Sequence, residues 1–286
     1  MALEARPKLG IVAGGGELPG LVIAACRAEG RPFHVLALTG HAEPGVIGDA
    51  PVDWIRLGEA GTGFKRLHDA GVGEVVMIGP VRRPTVKELA PDLRTARFFA
   101  RVGLKALGDD GLLRAVAREL EDEGFSVVGV DSVLADCLAP AGLVGGPAPD
   151  AVAEADIAHG IRVALGLGGL DVGQAVVVQQ GIVLGVEAVE GTDRLIRRCA
   201  ELRREGPGGV LVKVKKPGQD RRIDLPTIGM TTLIEAAAAG LRGIAVEAGG
   251  TLLLGRDAVA AEAGRLGLFV TGMEIDPGAA DLHHRG

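Results

Sequence analysis

The chain has 286 residues, of which 47% are apolar and only 2% aromatic, with no tyrosine. A net charge of −6 and a pI near 5.6 speak against a nucleic-acid partner, and no basic stripe with interleaved aromatics appears. Any anionic ligand must therefore be met by a local cluster of cations, not by the overall field. The length predicts two ordinary domains, with cores of Val, Leu, Ile and Ala. Cys26, Cys137 and Cys199 are widely spaced and form no CxxC. They read as small buried residues of a reduced, cytoplasmic protein, with no disulfide set and no zinc site. The first residues lack the apolar core of a secretion signal. Charges interrupt every apolar run before it reaches the roughly 18 residues that a membrane span needs.

In chain order, KLGIVAGGG is a strand running into a glycine turn, followed by a helix, LPGLVIAACRAEG. FHVLALTG, VDWIRL, EVVMIG and FSVVGV are further short strands, with helices near Thr62 to Ala70 and Asp110 to Glu123. Alternation of this kind predicts a Rossmann-like parallel sheet with helices on its faces. PAGLVGGPAPD is poor in pattern and rich in Gly and Pro, and reads as a linker. The expected division is a first domain over 1–139, a linker over 140–149 and a second domain over 150–286. In the second half a helix from about Ala151 to Leu165 precedes a hairpin, QAVVVQQGIVLGVEAVEG, turning at Gln180–Gly181. A charged helix from Thr192, the strand GGVLV, an Ala-rich helix near Thr231 to Ala239 and GIAVEAGGTLLLG complete an α/β domain with a mixed sheet. The site is expected in a cleft between the two halves.

The turn Gly14-Gly15-Gly16 follows a strand and opens a helix at Leu18, a context in which backbone N–H groups can cradle a phosphate. Gly14 and Gly16 have the first spacing of a dinucleotide fingerprint, but Pro19 stands at the third glycine position. The tip of the second strand, LALTGH, carries no acid for a ribose, so NAD is not expected. A nucleotide, a sugar phosphate and a purely structural tight turn all stay open. Gly79-Pro80-Val81-Arg82-Arg83 closes EVVMIG at the strand end where open α/β sheets hold ligands. Lys105 and Asp109 precede a helix, which capping by Asp109 or Asp110 would also explain. Glu187, Glu190, Gly191, Thr192 and Asp193 follow a strand and precede a helix. Thr192 or Asp193 could simply cap that helix, while Glu187 and Glu190 could add oxygen ligands to a metal site.

The densest feature is Lys213 to Gly229, KVKKPGQDRRIDLPTIG. It holds five cations (Lys213, Lys215, Lys216, Arg221, Arg222) and two carboxylates (Asp220, Asp224), and is interrupted by Pro217, Gly218 and Pro226. Lys213 and Lys215 fall on one face of an extended segment. Cations beside a carboxylate that could hold Mg²⁺ or Mn²⁺, or orient a water, suit phosphate-ester or pyrophosphate chemistry. A solvated basic hairpin is the competing explanation. Other motifs fail. RELEDEGF departs from the Nudix helix, Asp281-Leu-His283 lacks the partners of a dinuclear phosphoesterase, and no Walker loop or G-x-S-x-G elbow is present.

GIVAGGGELPG, VVMIGPVRRP, LKALGDDGLL, VEAVEGTD and KVKKPGQDRRIDLPTIG, in this order, resemble the LpxI-type UDP-2,3-diacylglucosamine pyrophosphatases of lipid A biosynthesis nearly end to end. The resemblance implies Mg²⁺-dependent hydrolysis of UDP-2,3-diacylglucosamine to 2,3-diacylglucosamine 1-phosphate (lipid X) and UMP, by water attack on the β-phosphorus. It implies a two-domain homodimer with the lipid product held between the domains. A lipid substrate would be met at the cytoplasmic face of the inner membrane, where the protein would be peripheral. The catalytic residues it implies are Asp224, Lys213, Lys216, Gln219 and Asp220. Gly14 to Gly16, Leu18, Gly79, Pro80, Lys105, Asp109, Glu190 to Asp193, Pro226 and Thr227 would bind substrate. Asp224, Asp220 and Glu190 would hold the metal. A non-catalytic regulator binding a nucleotide or lipid phosphate is the alternative, with an NAD-dependent oxidoreductase third.

Overall fold

A computed structural model describes residues 6–82, 90–102, 109–223 and 225–275; within 109–110 it describes the backbone alone. The chain divides into two compact units, Met1–Ala135 with Asp220–Asp224, and Asp136–Gln219 with Leu225–Gly286.

In the first unit, β1 (Leu9–Ala13), β2 (Phe33–Leu38), β3 (Val52–Ile55), β4 (Glu74–Ile78) and β5 (Ser126–Val127) form a parallel sheet of order β3-β2-β1-β4-β5. Its strands are near-continuous apolar runs because helices cover them, as the burial of Leu9, Ile11, Val35, Val75 and Val76 shows. The helices are α1 (Leu18–Ala28), α2 (Pro44–Ile47), α3 (Ala60–Asp69), α4 (Leu93–Val102) and α5 (Asp109–Asp122). Phe64 and Leu67 of α3 and Ala117 and Leu120 of α5 share one core with Leu36, Val75 and Val127. Ile223, from a segment distant in sequence, belongs to the same core.

The second unit holds a six-stranded mixed sheet, order β6-β13-β11-β9-β7-β8. Its strands are β6 (Gly142–Gly145), β7 (Ala175–Gln179), β8 (Ile182–Val186), β9 (Val210–Lys213), β11 (Gly243–Glu247) and β13 (Phe269–Met273). The pairs β9–β11 and β11–β13 are parallel, whereas the pairs β7–β9 and β7–β8 on one side and β6–β13 on the other are antiparallel. A separate parallel pair joins β10 (Thr227–Ile228) to β12 (Leu252–Leu253). Alternation along the strands feeds two cores. Val176, Val178, Val210 and Val212 pack with α6 (Ala151–Gly169). Val177, Leu211, Ile244 and Val246 face α7 (Thr192–Ala200), α8 (Met230–Ala238) and α9 (Arg256–Leu266).

The β7–β8 hairpin turns at Gln180–Gly181 as the sequence predicts. Both residues have positive φ, and both amides donate to the buried Asp156 carboxylate, at 2.9 and 2.6 Å. The stretch 140–149 is not a plain linker: it supplies β6, an edge strand paired with β13. Its glycines and prolines hide it, because a short edge strand needs only backbone groups. The elements α9 and β13 were also not anticipated. Among the described residues no helix is long and apolar enough to cross a membrane.

Candidate active site

In the first unit the strand ends of β1 and β4, where the strand order reverses, carry Gly14–Gly16 and Gly79–Pro80. The two loops pack backbone to backbone. The Gly14 amide donates to the Ile78 carbonyl at 2.8 Å, and the Gly15 amide to the Pro80 carbonyl at 2.9 Å. A Cβ on Gly14 would stand 2.5 Å from the Gly79 oxygen, and one on Gly79 would stand 2.4 Å from the Gly15 oxygen. The three glycine amides of this turn therefore do different work. Two of them hold the loops together, and the donors left for a ligand begin at Gly16 and run to Leu18, the first residue of α1. His41 lies beside this turn, its carbonyl 3.1 Å from where a Gly15 Cβ would be, and its Nδ1 accepts the Arg82 amide at 3.3 Å. Burial, then the Arg82 charge, hold the His41 imidazole below its usual pKa, so near neutrality it is uncharged.

In the second unit Lys213 ends β9. Although only 7% exposed, its ammonium donates to the Thr192 hydroxyl at 3.0 Å and to the Thr227 carbonyl at 2.9 Å. Thr192 opens α7, but it does not cap it: the N-cap is Gly191, and no side chain accepts there. Its hydroxyl donates instead to Glu187 Oε1 at 2.6 Å, while Glu187 Oε2 accepts the Gln174 amide at 3.1 Å. Asp193 sits in the first turn of α7. The Pro226 carbonyl accepts the Leu252 amide at 2.8 Å, and this aligns the β10–β12 pair that carries Thr227.

Beyond Lys213 the chain turns sharply. Pro217 and Gly218, with φ of 71° at the glycine, are the central residues of a turn closed by the Gln219 amide on the Lys216 carbonyl at 3.1 Å. The Gln219 side chain, 8% exposed, braces it by accepting the Lys216 amide at 3.2 Å. Lys216 Nζ pairs with Asp171 at 2.7 Å, and the Lys215 amide donates to Glu247 at 2.8 Å. Neither Asp171 nor Glu247 was singled out by sequence, since only the fold brings them here.

The expected five-cation cluster is divided. After Gln219 the chain joins the first unit for Asp220–Asp224. There Arg222 donates to Asp220 at 2.7 Å and to Glu121 of α5 at 2.7 Å, and Arg221 donates to Asp131 at 3.2 Å. These arginines anchor a strap to local acids. The hydrogen bonds from Arg222 come first among the causes that hold the Asp220 carboxyl below its ordinary range. Glu190 is likewise depressed, by its own backbone amide and then by Arg198, whose guanidinium lies 2.7 Å away. Both carboxylates are ionised oxygen donors of the right chemistry for Mg²⁺, but both are committed to arginines. Among the described residues no group of three or more His, Cys, Asp or Glu side chains is placed to share a metal. Asp224, Lys105, Arg83 and the Asp109 and Asp110 side chains lie outside the described residues.

A two-domain α/β protein with a glycine turn at the parallel-sheet switch point and a buried lysine at the end of a mixed sheet has the makings of an anion-handling enzyme. The LpxI N-terminal domain model matches residues 8–137 and the LpxI C-terminal domain model residues 140–271. The chain is 44% identical over 277 residues, 94% of its own length and 98% of the relative's, to the UDP-2,3-diacylglucosamine pyrophosphatase LpxI of Caulobacter vibrioides. It belongs to the LpxI family of hydrolases.

Proposed function

We propose that this chain hydrolyses UDP-2,3-diacylglucosamine to lipid X and UMP, a step of lipid A biosynthesis. The observation that carries the proposal is family membership across both domains, together with a Lys213 ammonium fixed in a buried seat at the end of β9. A pyrophosphate diester carries two negative charges that repel an incoming nucleophile. Lys213 and Lys216 would neutralise non-bridging oxygens and stabilise charge as it grows on the leaving group. Water adds its oxygen to the β-phosphorus, the bond from that phosphorus to the bridging oxygen breaks, and UMP departs with the bridging oxygen. Asp224 orients this water in the proposal. The nucleotide end belongs at the head of α1, where the amides from Gly16 to Leu18 remain as donors.

Of the three carboxylates expected to hold Mg²⁺ or Mn²⁺, the two described are held by arginines. A bound Mg²⁺ or Mn²⁺ would have Asp224 as its principal ligand and would supply neutralising charge to the pyrophosphate. The proposal also includes a homodimer working as a peripheral protein at the membrane surface that carries its lipid substrate. The decisive assay mixes enzyme and substrate with and without EDTA. Lipid X and UMP should form, and loss with EDTA that added Mg²⁺ restores would uphold the metal. Binding of substrate without UMP release would favour the regulator instead. In heavy-oxygen water the label should enter lipid X; label in UMP would mean attack on the α-phosphorus.

A further inference from the structure

We propose that Glu187 is a positioning residue for Lys213, acting through the hydroxyl of Thr192; the inference rests on the reading of Lys213 as a phosphate-binding cation. An ammonium can only donate hydrogen bonds, so the Thr192 oxygen, 3.0 Å from Lys213 Nζ, must accept. Its single proton has to go elsewhere, and Glu187 Oε1 takes it at 2.6 Å. The second carboxylate oxygen is occupied by the Gln174 amide at 3.1 Å. Two donors thus converge on two acceptor oxygens of a side chain that is 7% exposed. Glu187, one of the oxygens considered as a metal ligand, is spent on orientation instead. With the hydroxyl locked as a donor to Glu187, a lone pair must face Lys213. The Thr227 carbonyl, 2.9 Å away, fixes the ammonium from another direction.

The isosteric change Glu187→Gln tests this arrangement. An amide has one acceptor oxygen where the carboxylate has two. With the Gln174 amide still to satisfy, an NH₂ group is turned towards Thr192, and the hydroxyl loses its assigned direction. Glu187→Gln and Thr192→Val should each lower kcat by about 10- to 100-fold, the scale of one hydrogen bond to a charged group, with a smaller change in KM. Thr192→Ser keeps the hydroxyl and should stay within about threefold of wild type. Because Glu187 acts through Thr192, the double variant Glu187→Gln/Thr192→Val should be no worse than the poorer single variant.

A readout independent of turnover is the acylation rate of Lys213 by a small active ester, followed by peptide mass spectrometry. The exposed Lys65, on α3, serves as the internal reference. Lys213 should react several-fold faster in both single variants. Losses that multiply in the double variant, or Lys213 reactivity unchanged relative to Lys65, would overturn the inference. A wild-type chain that releases no UMP would bring down the proposed function instead, and the labelling comparison would still decide the role of Glu187. Thr192 is only partly buried, so Thr192→Val keeps the test available even if Glu187→Gln fails to fold.

Discussion

The glycine turn of the first unit and the lysine seat of the second are built from opposite materials. Where Gly14 and Gly15 meet Gly79 and Pro80 the backbone does the work: amides meet carbonyls, and Gly14 and Gly79 leave no room for a Cβ. Around Lys213 the side chains do it, in a relay of carboxylate, hydroxyl and ammonium. A backbone-built loop is fragile to added atoms and indifferent to charge. A side-chain relay tolerates small changes of size and fails when a donor or an acceptor is lost. Substitutions should therefore show themselves as lost stability in one region and as lost chemistry in the other.

The largest effect expected is chemical. Asp224→Ala, in the Pro-bounded segment that follows Lys213, should lower turnover about 100-fold or more, while substrate still binds. Parallel measurements of lipid X formation and ligand binding decide it, and activity within about threefold of wild type would remove Asp224 from the chemistry. The contrasting change is Gly14→Ala. Its methyl would stand 2.5 Å from the Gly79 oxygen and 2.8 Å from the Pro80 oxygen, both backbone atoms. Forcing these loops apart should cost about 1–3 kcal/mol, read as a lower midpoint in urea. Equal stability would mean that the loops are not in contact.

Gly16→Ala sharpens the comparison, since a Cβ there meets only Pro80 Cδ at 3.7 Å and the penalty comes from a φ of 74°. About 1 kcal/mol is expected, less than for Gly14, together with a raised KM if the turn binds the nucleotide. The reverse order of stabilities would contradict the packing described for these loops.

The smallest effect is electrostatic. The folded pKa of Asp220 is depressed, first by its hydrogen bonds from Arg222. Its contribution is therefore present above the ordinary carboxylate pKa of 3.8 and is lost as pH falls through the lower folded value. The Arg222 side chain is 48% exposed, which limits the pair to about 1 kcal/mol or less. Asp220→Asn should trail wild type slightly in urea midpoint at pH 7, and the gap should close below about pH 4. A gap that widens in acid would mean that Arg222 is not its partner.

Much of this molecule was legible locally. An apolar run ending in glycines marked β1, the Gln180–Gly181 turn marked the β7–β8 hairpin, and GGVLV placed Lys213 at a strand end, because periodicity and turn residues act over a few positions. The family signature carried the assignment of Lys213, Thr192 and Thr227 to one site. Which atoms those residues touch was beyond its reach. That the Gly14 and Gly15 amides are used up depended on where β4 returns beside β1. That Arg222 is an anchor depended on Glu121, 101 positions away in sequence. Asp171 pairs with Lys216 across 45 positions, and β6 became a strand only because β13 offered it an edge. The amino-acid sequence by itself determined the alternating α/β pattern, the turns and the stock of charged groups. Tertiary structure alone decided which donor meets which acceptor, because hydrogen bonds and ion pairs form between atoms a few ångströms apart, and only chain return brings distant residues that close.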